Sequence, residues 1–290
     1  MNRLKHTVDR RSLETIYTAY VRPILEYGSV IWDNCDEIDK KLLEDTQLDA
    51  ARIITGAIRG TSHNEIYEEI GWETLETRRE RQQLLLMHKM INGVAPTYLQ
   101  NLIPSLSSQT HRYPTSNRHN LVKIKCESES YRNSFLPKTV KNWNLLPLET
   151  RNITDFQAFK NILKKSIPKA NLLFYEGDRR NNIAHARLRM GCSKLNSHLY
   201  YNIHVVDSPK CSCGLAVESI DHYFFFCPLY LISRELMVTG INQLTGLPKK
   251  EITRKLLLYG NKRFSLDINT EIFKIVQRYI NETERFDAKS

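Results

Sequence analysis

Cys211-Ser-Cys213-Gly214, then Glu218-Ser-Ile-Asp-His222, then Cys227: these seventeen positions carry three thiols and one imidazole in the spacing C-x-C-x8-H-x4-C. Zn2+ takes four such ligands as a tetrahedron, and a structural site draws two from a tight turn and two from the element that follows. Pro209 and Gly214 flank the first pair and supply the turn. Ser219 is placed to cap a short helix carrying His222 and, about one and a half turns on, Cys227 on a similar face. The alternative is four buried, unligated residues, since free cysteine is among the most buried types. Three of the chain's six cysteines falling beside one histidine argues against it. The expectation is a structural Zn2+ held by Cys211, Cys213, His222 and Cys227, with every position filled by protein.

Outward from this stretch, the bulk properties are those of a folded protein. The 290 residues are 41% hydrophobic and 26% charged, enough for two or three domains. No apolar run opens the chain, so no signal peptide is expected. The apolar run from Tyr223 to Ile232 is too short to cross a bilayer, so no membrane partner is expected. Cys35, Cys126 and Cys192 stand alone, which suits a reducing compartment, nucleus or cytoplasm, better than a disulfide framework. The net charge of +10 is localised: residues 101–210 hold 18 Lys/Arg against 7 Asp/Glu, whereas residues 1–100 hold 13 against 16. A concentrated excess of this kind is the electrostatic footprint of phosphate-backbone binding, the alternative being a solvated face near an acidic partner.

Residues 1–100 read as a helical bundle. Leu13, Ile16, Tyr17, Tyr20, Val21, Ile24 and Leu25 form a stripe after a cap at Ser12, with a kink at Pro23 and an apolar cluster at Tyr27, Val30, Ile31 and Trp32. A second helix spans about 38–54 with Leu42 and Leu43 inward. Ser62 to Glu65 has the form of a capping box, and a fourth helix spans about 74–91. Residues 104–120 read as a loop, and Leu121 to Lys125 alternates as a half-buried strand. Helices follow near 137–145 and, capped by Thr154, near 155–167. Asp178 caps a helix placing Arg180, Ala184 and Arg187 on one side, broadened by Arg179 and Arg189. Arginine suits bidentate phosphate contacts, so this helix is the expected backbone-binding element, the alternative being arginines lying over a domain interface. Beyond Cys227, Leu229, Ile232, Leu236 and Met237 are expected inward. Helices near 249–259 and 270–279 then lead to a frayed tail at 281–290.

Catalytic chemistry is missing from this inventory. There is no Asp-Asp dipeptide to hold the metal pair of nucleotidyl transfer, no glycine-rich phosphate loop, no G-x-S-x-G and no H-E-x-x-H. His119-Asn120 lacks a second histidine at helical spacing.

Three segments nonetheless resemble the region that follows the catalytic core in jockey-type non-LTR retrotransposon reverse transcriptases. The first runs from Ile16-Tyr-Thr-Ala-Tyr-Val-Arg-Pro-Ile-Leu-Glu-Tyr27-Gly with Trp32, through Ala51-Arg-Ile-Ile-Thr-Gly56, Ile70-Gly-Trp72, Leu75 and Arg78-Arg79, to Asn92-Gly-Val-Ala-Pro96. It is similar to the helical thumb of those polymerases. The second is Ser134-Phe with Trp143-Asn-Leu-Leu-Pro147 and Phe156-Gln-Ala-Phe-Lys160. The third is Ala186-Arg-Leu-Arg-Met-Gly-Cys-Ser-Lys-Leu-Asn196 leading into C-x-C-G, E-x-x-x-H and C-P-x-Y, with Arg234 beyond. The resemblance implies a thumb that grips template–primer duplex and a zinc-bearing, nucleic-acid-binding tail. With no fingers or palm ahead of Met1, it implies a truncated element to which polymerase activity does not carry over.

The expected fold is therefore mainly α. A thumb-like helical bundle (1–100) is followed by a basic connector with a short strand or hairpin and helices (101–170), a basic helix with a small CCHC zinc knuckle (171–240), and C-terminal helices (241–290). The expected partners are RNA or DNA, contacted by Lys123, Lys125, Lys164, Lys165, Arg179, Arg180, Arg187, Arg189 and Lys194, and an upstream palm and fingers. Tyr223 is a candidate for stacking on unpaired bases. The alternatives are a zinc-knuckle protein-interaction module and a polymerase subunit active only with a separate palm.

Overall fold

The computed structural model describes residues 1–110, 118–164 and 171–286. Among them the fold is mainly helical, with two isolated β-bridges and no sheet. The longer helices are α1 (Arg10–Ile16), α2 (Glu37–Thr55), α3 (His63–Ile70), α4 (Leu75–Ile91), α5 (Phe135–Leu145), α6 (Phe156–Lys164), α7 (Arg179–Arg189), α8 (Leu231–Thr245), α9 (Arg254–Tyr259) and α10 (Leu266–Glu282). None of the described helices is long and apolar enough to cross a membrane.

Capping chemistry starts several of them where expected. Thr74 accepts from the Thr77 amide at 3.1 Å, and Asp178 accepts from the Asn181 amide at 2.8 Å. Elsewhere an aspartate takes the role assigned to a hydroxyl. Asp9, not Ser12, caps α1, and Asp155, not Thr154, caps α6 through the Ala158 amide at 2.6 Å. Ser62 holds the cap position of α3 without the side-chain bond a capping box needs. Ahead of Pro23 the chain makes a π-type turn, Tyr17–Val21.

The chain divides into two compact units that do not follow the expected boundaries at 100, 170 and 240. One comprises Met1–Ala19, Leu48–Trp72 and Lys169–Ser290; the other comprises Tyr20–Gln47 and Glu73–Pro168.

In the second unit Met87, Leu121, Val140, Trp143 and Phe159 form a buried cluster, with the His88 ring stacked on Phe159 at 4.3 Å. Its polar centre is Asp33, which accepts from Arg79 Nε (2.7 Å), Lys138 Nζ (2.8 Å) and Gln83 Nε2 (2.9 Å). Residues 121–125 do not form the expected strand. Pairing stops at a single antiparallel bridge between Leu121 and Leu106, flanked by the bonds Ser107 N–H to Asn120 O and Val122 N–H to Ser105 O, while the Asn144 side chain takes both backbone groups of Leu121 at 2.9 Å. Five positions expected in apolar clusters are open to solvent instead: Tyr20, Ile24 and Leu42, with Tyr27 and Ile31 each 85% exposed.

The first unit is assembled from three separated stretches, and arginine joins them. Glu69 of α3 is 4% exposed and lies between Arg10 and Arg189 at 2.6 Å from each guanidinium. The Arg189 guanidinium in turn lies over the Phe174 ring at 3.8 Å. Arg179 donates to the carbonyls of Lys5, Ile53 and Ile54, and Arg187 donates to Gly56 O at 2.7 Å. These guanidiniums therefore cap the C-terminal carbonyls of α2, where the helix dipole favours cations. Gly56 makes the approach possible: its φ is +75°, and a Cβ there would stand 2.6 Å from Ile183. Leu188, Leu195, Tyr223, Phe224, Ile241, Leu257, Ile272 and Val276 fill the apolar core of this unit around α7 to α10.

Burial alone would raise the Glu69 pKa, but the two guanidiniums, Arg189 foremost, hold it below the usual carboxylate range. Its ion pairing is therefore complete above the unfolded value of about 4.3 and is lost as pH falls through the lower folded value. We expect Glu69→Gln to cost about 3–5 kcal/mol at pH 7 in urea unfolding, and the gap to wild type to narrow at pH 3.

Candidate metal centre

The stretch 210–217 is a tight hairpin. Lys210 and Val217 form a bridge, the Cys211 amide donates to Ala216 O at 2.9 Å, and Gly214 turns the chain at φ +76°. That turn aims backbone amides at sulfur: Cys213 N–H points at the Cys211 sulfur, and Leu215 and Ala216 N–H at the Cys213 sulfur. Amides directed at sulfur stabilise thiolate.

The helical segment after the hairpin supplies the other two ligands. Ser219 Oγ accepts from the His222 amide at 3.1 Å, as the sequence suggests. In an α-helix, five positions at about 100° each would leave Cys227 some 140° away from His222. His222–Phe226 instead winds as a π-helix, and the Cys227 amide donates to His222 O at 2.8 Å. Bonding from i to i+5 makes five residues close to one full turn, which returns Cys227 to the imidazole's side.

The ligand atoms of Cys211, Cys213, His222 and Cys227 all lie within 4.8 Å of one another, a group that could hold a metal ion. The Cys211 and Cys227 sulfurs are 3.6 Å apart, and Cys213 Sγ is 3.3 Å from His222 Nε2. Tetrahedral bonds of about 2.3 Å to sulfur and 2.0–2.1 Å to nitrogen need edges of roughly 3.8 and 3.6 Å, so two edges are within a few tenths of an ångström of closure. Burial and the neighbouring thiols push the Cys211 thiol up to about 12, while the Leu215 and Ala216 amides draw Cys213 below the usual thiol value. A cation replaces the protons such a cluster must otherwise keep.

The surroundings hold the ligands in place. Glu218, 1% exposed, accepts from the Asn196 amide and from Arg285 Nε and Nη2, each at 2.7 Å. Its own carbonyl accepts from Ser197 at 2.8 Å. Arg285 belongs to the stretch 281–290 expected to fray and is instead held by Glu218, while residues 287–290 lie outside the described residues. Arg234 is buried and donates to Phe224 O at 2.9 Å and to Cys227 O, closing the carbonyl end of the ligand helix. All six cysteines are free thiols.

The expected nucleic-acid contacts are distributed over both units. Lys123, Lys125 and Lys164 are exposed in the second unit, and Lys165 lies outside the described residues. In the first unit Arg180 is exposed and Lys194 half-exposed, Arg179 and Arg187 are half-buried against carbonyls, and the Arg189 side chain is 2% exposed in its pair with Glu69. Tyr223 is fully buried and cannot stack on a base; the exposed ring beside the cluster is Phe226. Leu229, Ile232 and Leu236, expected inward, are exposed as well, because the buried side of α8 is built by Met237, Val238 and Ile241.

Sequence reasoning missed Lys5, His6, Arg52 and Arg59. With Arg179 and Arg187 they line one cavity of about 390 Å3, whose one acidic lining residue is Asp49, paired to Arg52 at 2.9 Å. Only the tertiary fold brings these positions together; no local pattern marks them. Comparison with protein-family models, curated proteins and solved structures finds no match.

Titration with Co2+ tests the cluster. We expect saturation at one ion per chain with the visible absorption of tetrahedral thiolate ligation, and loss of that spectrum in Cys213→Ser.

Proposed function

We propose that the chain is a nucleic-acid-binding module without catalysis of its own, braced by a structural Zn2+ and of the kind that follows the polymerase core in jockey-type non-LTR reverse transcriptases. Three thiolates and an imidazole suit Zn2+ and exclude the hard cations Ca2+ and Mg2+, which take oxygen ligands. Four protein ligands leave no position for an activated water, so the ion's role is to lock the hairpin to the ligand helix. Free thiols and a thiolate-rich site suit a reducing compartment, the nucleus or cytoplasm.

The observation that carries the binding reading is the cavity lined by Lys5, His6, Arg52, Arg59, Arg179 and Arg187. Five arginine and lysine charges face one carboxylate and the roughly half-charge of the α2 C-terminus. The surplus remains positive, and a phosphate backbone is the common polyanion that matches it. Lys123, Lys125 and Lys164 are exposed in the second unit. One observation favours a protein partner instead: the exposed stripe Phe226, Leu229, Ile232 and Leu236 beside the Cys/His cluster.

Fluorescence anisotropy with a single-stranded RNA over a salt series separates the two. We expect log affinity to fall against log salt with a slope of about −0.7 per phosphate contact. Chelating the metal should weaken binding further. A flat salt profile, or no binding at all, would remove the nucleic-acid reading and leave the protein-interaction one.

A further inference from the structure

Two cavities flank one ridge in the first unit. The ridge is the α7 face carrying Arg179, Ile183 and Arg187, at i, i+4 and i+8. On one side lies the basic cavity of about 390 Å3, with Lys5 and Arg59 on its wall. On the other lies a cavity of about 340 Å3, to which Ile183, Ala184, Ile280 and Phe286 give an apolar wall. His6 lines both. Neither was visible as a site in the sequence, since their residues come from both ends of the chain and from 49–59.

The local field is positive and lacks a matching anion. Arg179 and Arg187 donate to carbonyls, and burial together with Arg10 and Arg187 draws the Arg179 pKa down to about 10. A guanidinium held down first by burial and then by its neighbours' charge gains from an incoming anion. Phe286 packs edge-on against Tyr223 at 5.3 Å, with its ring also forming part of the cavity wall.

A phosphate site beside an apolar, aromatic-bearing hollow is the chemistry of an unpaired nucleotide, whose phosphate and base separate once the base leaves the stack. We propose that this pair of cavities binds single-stranded nucleic acid, the phosphate held by Lys5, Arg59 and Arg187 in the basic cavity and an unstacked base lodged against Phe286 across the ridge. The inference rests on the nucleic-acid reading above and narrows it to single strands and to this site. A duplex, whose bases are stacked inward, reaches the basic cavity only.

The test uses the full chain, metal-loaded, with fluorescent single-stranded RNA, the matching DNA strand and the duplex formed from the DNA strand and its complement. Lys5→Glu with Arg59→Glu removes two phosphate contacts from surface positions and should reduce the steepness of the single-strand salt slope by about 1.4. Lys262→Glu with Arg263→Glu makes the same change in net charge at exposed positions outside both cavities and should leave the slope near wild type. Phe286→Leu keeps apolar packing but loses the aromatic face. It should weaken single-strand binding about fivefold or more with duplex binding unchanged, the unfolding midpoint being checked by circular dichroism. Equal effects on RNA and DNA strands assign the contact to base and phosphate; a larger effect on RNA adds the 2′-hydroxyl, and either supports the site. If wild type binds but the Lys5/Arg59 variant keeps its affinity and slope, the site is overturned while the broader reading stands. If wild type binds no nucleic acid, the broader reading itself falls.

Discussion

Three sulfurs and an imidazole nitrogen gathered within 4.8 Å form a cluster whose charge must be met, by protons or by a metal. The hairpin that carries two of them has little else to fix its shape, for Leu215 and Val217 face solvent. Its geometry comes from the bond of the Cys211 amide to Ala216 O and from polar ties at its base: Glu218 gripping Asn196 and Arg285, and Arg234 closing the carbonyls of Phe224 and Cys227. The π-helix at His222–Phe226 belongs to the same arrangement. A wider helical turn lengthens the repeat until His222 and Cys227 share a side, and π segments tend to occur where a site demands them.

Arginine governs the rest of the first unit in a comparable way. Arg10, Arg179, Arg187, Arg189 and Arg234 are taken up by Glu69 or by backbone carbonyls, so the basic bias of the sequence is only partly a basic surface. A planar, permanently charged donor set suits this work because one side chain satisfies several acceptors at a helix terminus. The charge left over is confined to fewer positions than a residue count suggests. In the first unit it concentrates where residues 5–6 and 52–59 meet α7.

What could be read from the sequence was local. The extent of α2, the start of α4 near Thr74, the Asp178 cap and the C-x-C-x8-H-x4-C spacing each act within a few turns of chain, and each has its counterpart in the structure. Side-chain competition defeated other local readings. Asp9 and Asp155 took caps assigned to Ser12 and Thr154, and Leu121, bridged to Leu106, gives its own N–H and C=O to the Asn144 side chain. The long-range features were out of reach. Glu69 pairs across 59 and 120 positions, and the convergence of Lys5, Arg59 and Arg187 depends on that assembly. Apolar periodicity likewise marks a face without saying that it is covered, as Ile24, Ile232 and Leu236 illustrate.

X-ray absorption at the zinc edge, on protein purified without chelator, tests the central claim most directly. The account predicts one zinc per chain with three sulfur neighbours near 2.3 Å and one nitrogen near 2.0–2.1 Å. A first shell of oxygen and nitrogen only, or protein that carries no zinc, would contradict it.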